Sequence, residues 1–258
     1  LHNLAVMKRG RMPFHGAFTH IVLADGAAAN VLLLGDTATG KSESLEALRL
    51  VGEARVRELR VIADDMGSLE VGEDGAVRAY GTEIGAFVRL DDLQQGYALG
   101  QMDRAIIMSP QRVNARVVLP VTTLEDVLRG YPVDVLLYAN NYQPVDDDHP
   151  LVEVIEDVDD ALRVFREGAA LAKGTTTSTG LTSGYFANSF GPAQRVDVHD
   201  ELARRTFTAA YAAGATVGQL RTRLGIAGYE TEGPRQAALA LLDLIALRAT
   251  GAKGADGS

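Results

Sequence analysis

The segment Gly35-Asp36-Thr37-Ala38-Thr39-Gly40-Lys41-Ser42 constrains this chain more than any other. It fits the pattern G-x-x-x-x-G-K-[ST], and its flanks supply the context that the pattern needs. Residues 30–34, Asn-Val-Leu-Leu-Leu, read as a short buried strand, and residues 44–51 read as a helix with apolar Leu45, Leu48 and Val51. A strand, a glycine loop and a helix N-terminus leave free backbone N–H groups aimed at one point, where the helix dipole favours negative charge. That is a site for phosphate. In it Lys41 reaches the outer phosphates and the Ser42 hydroxyl holds Mg2+. The competing reading is a glycine-rich turn that happens to precede Lys-Ser. It leaves both the apolar strand and the helix unexplained.

The bulk numbers narrow the partners. A net charge of −9 and a pI near 5.1 argue against nucleic acid or an anionic membrane as the main partner, because both need basic surfaces. A phosphate site survives this balance, since local N–H groups and one lysine suffice. There are no cysteines, which removes disulfides, thiolate zinc sites and a cysteine nucleophile. No run of 18 apolar residues is present, so no transmembrane helix is expected, and a cytoplasmic location fits. The chain begins at Leu1 with no secretory signal pattern, which points to a domain taken from a longer protein.

Along the chain, residues 19–25 and 30–35 read as a hairpin turning at Gly26 and leading into the glycine loop. Further strands are expected at 58–63, 68–71, 76–80, 86–90, 116–119 and 133–138, with a turn at 72–75. Helices are expected at 44–51, 91–99, 124–128 and 158–171, followed by a polar loop at 174–184. Three more helices close the chain, at 200–213, 216–224 and 233–248. This mixture predicts an α/β fold with a mixed sheet and C-terminal helices, forming one domain over residues 1–250. A disordered tail is expected over 251–258.

Several residues could carry chemistry. Asp64 and Asp65 end the strand after the loop and helix, where a carboxylate can hold Mg2+ or take a proton from an attacking hydroxyl. The alternative is an acidic turn. His15 is a candidate metal ligand, against the commoner structural histidine, and Lys8 alone reads as a solvated surface lysine. Arg112, Arg116 and Arg129 could neutralise charge on a transferring phosphoryl group or serve as salt-bridge partners. Glu83 is either a second acidic ligand or a strand-edge residue. The Asp146-Asp147-Asp148 run reads as a solvated turn.

Taken in order, these residues resemble phosphoenolpyruvate carboxykinases. Lys8 in Met-Lys-Arg-Gly, His15 in Met-Pro-Phe-His, the glycine loop and Asp64-Asp65 come in the family's order of motifs. The run from Asn114 to Pro120 resembles the family's arginine-bearing strand. The run from Lys173 to Gly191, which includes Ser183, resembles its nucleotide-base loop. The likeness spans about residues 5–192. The spelling of the glycine loop is closer to HPr kinase/phosphorylase, which shares that kinase core and phosphorylates a serine on a small carrier protein.

The resemblance implies a fold of the carboxykinase C-terminal domain type that binds ATP or GTP. It assigns phosphate and Mg2+ to Lys41 and Ser42 and the Mg2+ shell to Asp64. A second divalent ion, often Mn2+, falls to Asp65, His15 and Lys8, and the bridge from γ-phosphate to acceptor falls to Arg116. Ser183 is implied as a nucleotide contact. The chain departs from the family at Thr177, where the carboxykinases place an arginine, and the family's oxaloacetate-binding arginine lies in an N-terminal domain. The expected activity is phosphoryl transfer from a nucleotide to a small-molecule acceptor, the enolate of pyruvate where such a domain is present. The alternatives are transfer to a protein serine, as in the HPr kinases, and a non-catalytic nucleotide-sensing module.

Overall fold

Alternation in the central strands sends apolar side chains to both faces of one sheet, so helices must cover it on both sides. The computed structural model describes residues 1–36, 39–51, 54–89, 106–108, 116–173, 179–187 and 194–255. For 42, 87–89, 106–108, 116–117, 173, 179 and 252–255 it describes the backbone alone. The first half of the chain contains α1 (His2–Lys8), β1 (Met12–Leu23), β2 (Ala28–Leu34), α2 (Lys41–Val51), β3 (Val56–Ala63), β4 (Met66–Val71), β5 (Val77–Gly81), β6 (Gly85–Arg89), β7 (Ile106–Met108) and β8 (Arg116–Pro120). The second half contains α3 (Leu124–Arg129), β9 (Tyr131–Pro132), β10 (Val135–Asn140), β11 (Val152–Val154), α4 (Val158–Glu167), β12 (Ala169–Lys173), β13 (Thr179–Ser183), α5 (Val196–Ala212), β14 (Thr216–Arg221) and α6 (Glu232–Ala255). The fold is α/β with a mixed sheet, as the sequence predicts.

The main sheet runs β11-β14-β10-β2-β1-β4-β5-β9, with β3 also paired to β1. β2, β10 and β14 are mutually parallel, so their C-terminal ends share one edge. In β2 and β10, Leu32, Leu34, Leu136 and Tyr138 face a core shared with Phe165 of α4 and Phe207 of α5. Their neighbours Val31, Leu33, Val135 and Leu137 face the opposite core, with Leu45 and Leu48 of α2 and Leu241 and Leu242 of α6. Each such side chain contributes about 1.5–3 kcal/mol on full burial, and together they fix the three layers.

β1 joins the two halves of the sheet. One edge pairs with β2 from Gly16 to Val22. The other edge changes partner midway: Met12–His15 pairs with β4, and Phe18–Leu23 with β3. The chain therefore bends at Asp64-Asp65 directly beside His15 and Gly16. Gly16 is required there, because a Cβ would stand 2.5 Å from the Leu33 carbonyl oxygen.

Three expectations are corrected. Residues 216–224 form no helix; Thr216–Arg221 is β14, hydrogen-bonded between β10 and β11. Val217 and Leu220, three apart, fit a helix by spacing. They enter opposite cores, as a strand requires. The helix expected over 158–171 stops at Glu167, because Gly168 takes a left-handed cap (φ 54, ψ 40) and Ala169 begins β12. The loop expected at 174–184 ends in a strand, β13, whose Thr179–Ser183 pairs with β12. The last helix, α6, runs through Ala255. β1 also starts seven residues before the expected residue 19, at Met12; both of its faces are buried there, which erases the alternation. The helix expected at 91–99 lies outside the described residues.

Candidate functional site

β2 delivers Gly35 to the sheet edge where β10 and β14 also end, the position at which open α/β sheets form a crevice. The loop then closes on itself. Thr39 donates to the Asp36 carbonyl oxygen through both its N–H (3.2 Å) and its hydroxyl (2.7 Å). Two glycines make this possible. A Cβ on Gly35 would lie 2.4 Å from the Thr39 hydroxyl. Gly40 has φ +92, and a Cβ there would lie 2.7 Å from the side chain of Thr222. Thr222, just past the end of β14, pins the loop: its hydroxyl donates to the Thr39 carbonyl (2.6 Å) and its N–H to the Asn140 carbonyl (2.8 Å).

Lys41 opens α2 and is buried. Its Nζ donates to the carbonyl oxygens of Gly35 (2.8 Å) and Asp36 (2.7 Å). Burial pulls the pKa of this ammonium down, while the negative charges of Glu43, Asp36, Asp65 and Asp64 oppose that pull. The last two place the acidic bend within electrostatic reach of the lysine. Thr37 and Ala38 lie outside the described residues, as does the Ser42 side chain.

The second half of the site is the bend between β3 and β4. The Gly16 N–H donates to the Asp65 carbonyl (2.9 Å) and, on the other side of β1, the Gly35 N–H donates to the His15 carbonyl (3.2 Å). Loop and bend are thus joined through two adjacent residues. The buried His15 ring touches Ala187 O through Nδ1 (2.9 Å) and Asp65 Oδ1 through Nε2 (3.1 Å). A carbonyl only accepts, so Nδ1 carries the proton. Nε2 then faces the Asp65 carboxyl group. Imidazole and carboxylate are donors that divalent transition ions accept.

Glu83, between β5 and β6, accepts a hydrogen bond from the Met66 N–H (3.0 Å). Burial, with the negative charge of Asp65 and Asp64 beside it, pushes its pKa up to about 7. The Ala187 that holds His15 has φ 51, as does Phe186 before it, an uncommon backbone state for residues with a Cβ. Phe186 is locked there by Tyr185 and His199, with ring centroids at 5.0 and 4.8 Å.

Lys41, Asp64, Asp65, His15 and Glu83 are therefore brought together. Lys8 is not. It is exposed at the end of α1, whose buried residues are Val6 and Met7, and no hydrogen bond or ion pair among the described residues joins it to His15 or Asp65. Among the described residues, no group of three or more His, Cys, Asp or Glu side chains is arranged to hold a metal ion. Arg129 is exposed and paired with Glu125 one helical turn away, the salt-bridge role. Ser183 ends β13 opposite Ala169 and is exposed. Arg116 starts β8, its side chain outside the described atoms; Arg112, Asn114, Thr177 and residues 188–191 lie outside the described residues. Asp146 accepts from the N–H groups of Asp148 and His149, as a solvated turn does.

Residues that sequence reading misses are Thr222, Asn140 and Asn141. Asn141 pairs its side-chain amide with both backbone groups of Leu171 (2.9 and 2.8 Å), fixing β12 to the sheet edge. The available signal was an Asn-Asn pair closing a fully apolar strand, where buried amides must find partners. Compared with protein-family models and with curated proteins, the chain matches none.

Proposed function

We propose that this chain is a nucleotide-dependent phosphotransferase domain of the phosphoenolpyruvate carboxykinase-like kind, with a fold of the carboxykinase C-terminal type. The observation that carries the reading is the joint at His15-Gly16. One backbone step binds the glycine loop on one side and the acidic bend on the other, with Lys41 in the field of Asp64 and Asp65. A phosphate donor on the loop would have its acceptor beside the bend.

In this reading the loop N–H groups and Lys41 hold the outer phosphates of ATP or GTP. Lys41 exchanges the carbonyls of Gly35 and Asp36 for phosphate oxygens, and the nearby carboxylates oppose the downward pull of burial on its pKa. Ser42 and Asp64 would hold Mg2+, while His15 and Asp65 would hold a second divalent ion such as Mn2+; these ions supply charge neutralisation when bound. The acceptor oxygen attacks the γ-phosphorus as the bond to the bridging oxygen breaks. Asp64 or Asp65 takes the proton when that acceptor is a hydroxyl. Most of the catalysis is positioning and charge stabilisation, with Arg116 a candidate for the latter.

The acceptor is a small molecule, the enolate of pyruvate, or a serine hydroxyl on a partner protein. The loop's resemblance to the HPr kinases favours the second enough to test both. No helix among the described residues is long and apolar enough to cross a membrane, which accords with the proposed cytoplasmic site of action.

Calorimetry with ATP and Mg2+ should show binding that Lys41→Ala abolishes. Incubation with ATP, Mg2+ and Mn2+ should then label either phosphoenolpyruvate from oxaloacetate or a protein serine. Binding without turnover against either acceptor would leave a nucleotide sensor. Intact ATP binding in Lys41→Ala would end the reading altogether.

A further inference from the structure

We infer that Glu83 is a positioning residue: it clamps the main chain of the Asp64–Met66 bend and so holds the Asp65 carboxylate against His15, an inference that rests on the functional reading above. The bend lies between two ladders. β3 and β4 pair with successive stretches of the same edge of β1, and the two residues between them lie outside either ladder. Gly16 satisfies the Asp65 carbonyl. A main-chain N–H at such a half-buried turn is oriented by the acceptor it meets, and losing that acceptor is costly.

Glu83 supplies one. Its Oε1 takes the Met66 N–H at 3.0 Å, and the Asp65 N–H also favours its charged form. The carboxylate reaches the bend because Gly81 ends β5 tightly against β3, where a Cβ would lie 2.8 Å from the Ile62 carbonyl oxygen. On the far side, Ile84 is tied to β8's exit by the N–H groups of Val121 and Thr122. Glu83 is therefore fixed from both ends. It stands beside Asp64 and Asp65, a place where a third negative charge is unfavourable. Hydrogen bonding to the turn gives a reason for an acceptor at this position. Electrostatics alone would select against it.

Ligand and clamp are separable roles. As a ligand, Glu83 would act through its charge. As a clamp, it acts through its acceptor oxygen, and glutamine can replace it. The test uses Glu83→Gln and Glu83→Ala in the whole chain. Three quantities are read: hydrogen-exchange protection of the Gly16 and Met66 amides, the imidazole nitrogen shifts of His15, and the affinity for Mn2+ alone. The clamp predicts that Glu83→Ala loses amide protection and shifts His15. It also predicts that Mn2+ binding weakens by about 10- to 100-fold, the usual cost of losing an outer support of a metal ligand. Glu83→Gln should restore all three to near the native values.

Two results overturn the inference. One is a Glu83→Ala protein with native protection and native His15 shifts. The other is a Glu83→Gln protein as impaired as Glu83→Ala, which would make charge the operative property. If protection and His15 respond as expected but Mn2+ binding is absent or unchanged, the clamp stands. The metal role of Asp65 in the proposed function then falls.

Discussion

The glycine loop and the acidic bend lie on either side of the same strand, yet they are built by opposite means. In the loop, most of the bonds join neighbours: Thr39 and Lys41 donate to carbonyls three to six residues back, and Thr222 adds one bond from far along the chain. In the bend, Asp65 meets His15 from fifty residues earlier, Met66 meets Glu83 from seventeen later, and His15 is held by Ala187 across 172 residues. The loop is a local conformation that the sheet receives. The bend exists only once β1, β3, β4, β5 and the Ala187 turn have assembled. Damage to the loop should therefore strike ligand binding, and damage to the bend should strike the chemistry while binding persists.

The largest test of that contrast is Lys41→Ala. It removes the buried cation of the loop, and turnover should fall by at least about 10²–10³-fold, as for loss of a single preorganised donor. Calorimetry should show ATP binding lost in parallel. Gly40→Ala comes next. A side chain at φ +92, pressed against Thr222, should cost about 1–3 kcal/mol of strain and weaken ATP binding without touching the bend. On the other side of β1, His15→Ala orphans the Ala187 carbonyl and one face of Asp65, at about 1–3 kcal/mol in urea melts. Its decisive readout is kinetic: kcat should collapse while ATP affinity stays near native. Loss of ATP affinity instead would dissolve the distinction between the halves.

Thr222→Val sharpens the comparison at smaller scale. It keeps the shape against Gly40 but loses the bond to the Thr39 carbonyl, worth about 1 kcal/mol, and ATP affinity should fall a few-fold. The gentlest effect is on pH dependence. Burial lowers the pKa of His199, whose ring bonds the Pro13 carbonyl near the bend. A histidine with a depressed folded pKa leaves stability whole above its unfolded value of 6.5. Stability is then lost as pH falls through 6.5 toward the lower folded value, because the unfolded chain takes the proton first. Glu83, with its pKa raised to about 7, acts in the opposite sense over this window, so the readout is a difference: in thermal melts below pH 6.5 the native protein should lose more stability, relative to pH 7.5, than His199→Gln. An equal loss in that variant would remove His199 as its source.

The loop was readable because its requirements are stereochemical and consecutive. A Cβ on Gly35 would collide with Thr39 four residues on, Gly40 holds a φ of +92, Lys41 opens the helix, and an apolar strand precedes them. The hairpin of β1 and β2 was readable for the same reason, through the turn at Gly26. The strand β14 was not. Val217 and Leu220 have a spacing compatible with a helix, and only the open slot between β10 and β11 made them a strand. In the site, Asp64, Asp65 and His15 could be singled out as chemical types, but not their contacts. Lys8, one step beyond the buried Met7 on α1, is exposed, a placement that motif order does not specify.

The sequence by itself determined the backbone-encoded part of this protein. That part is the strand, glycine loop and helix, together with a two-faced apolar alternation that demands helices on both sides of a sheet. Both rest on interactions between residues close in the chain, where sterics and periodicity leave few choices. The tertiary structure alone decided that His15 would stand between Ala187 and Asp65, that Glu83 would cap the bend, and that Thr222 would pin the loop. Those contacts depend on strand register and on where β1 changes partner, and register is set by the packing of the whole sheet rather than by any local segment.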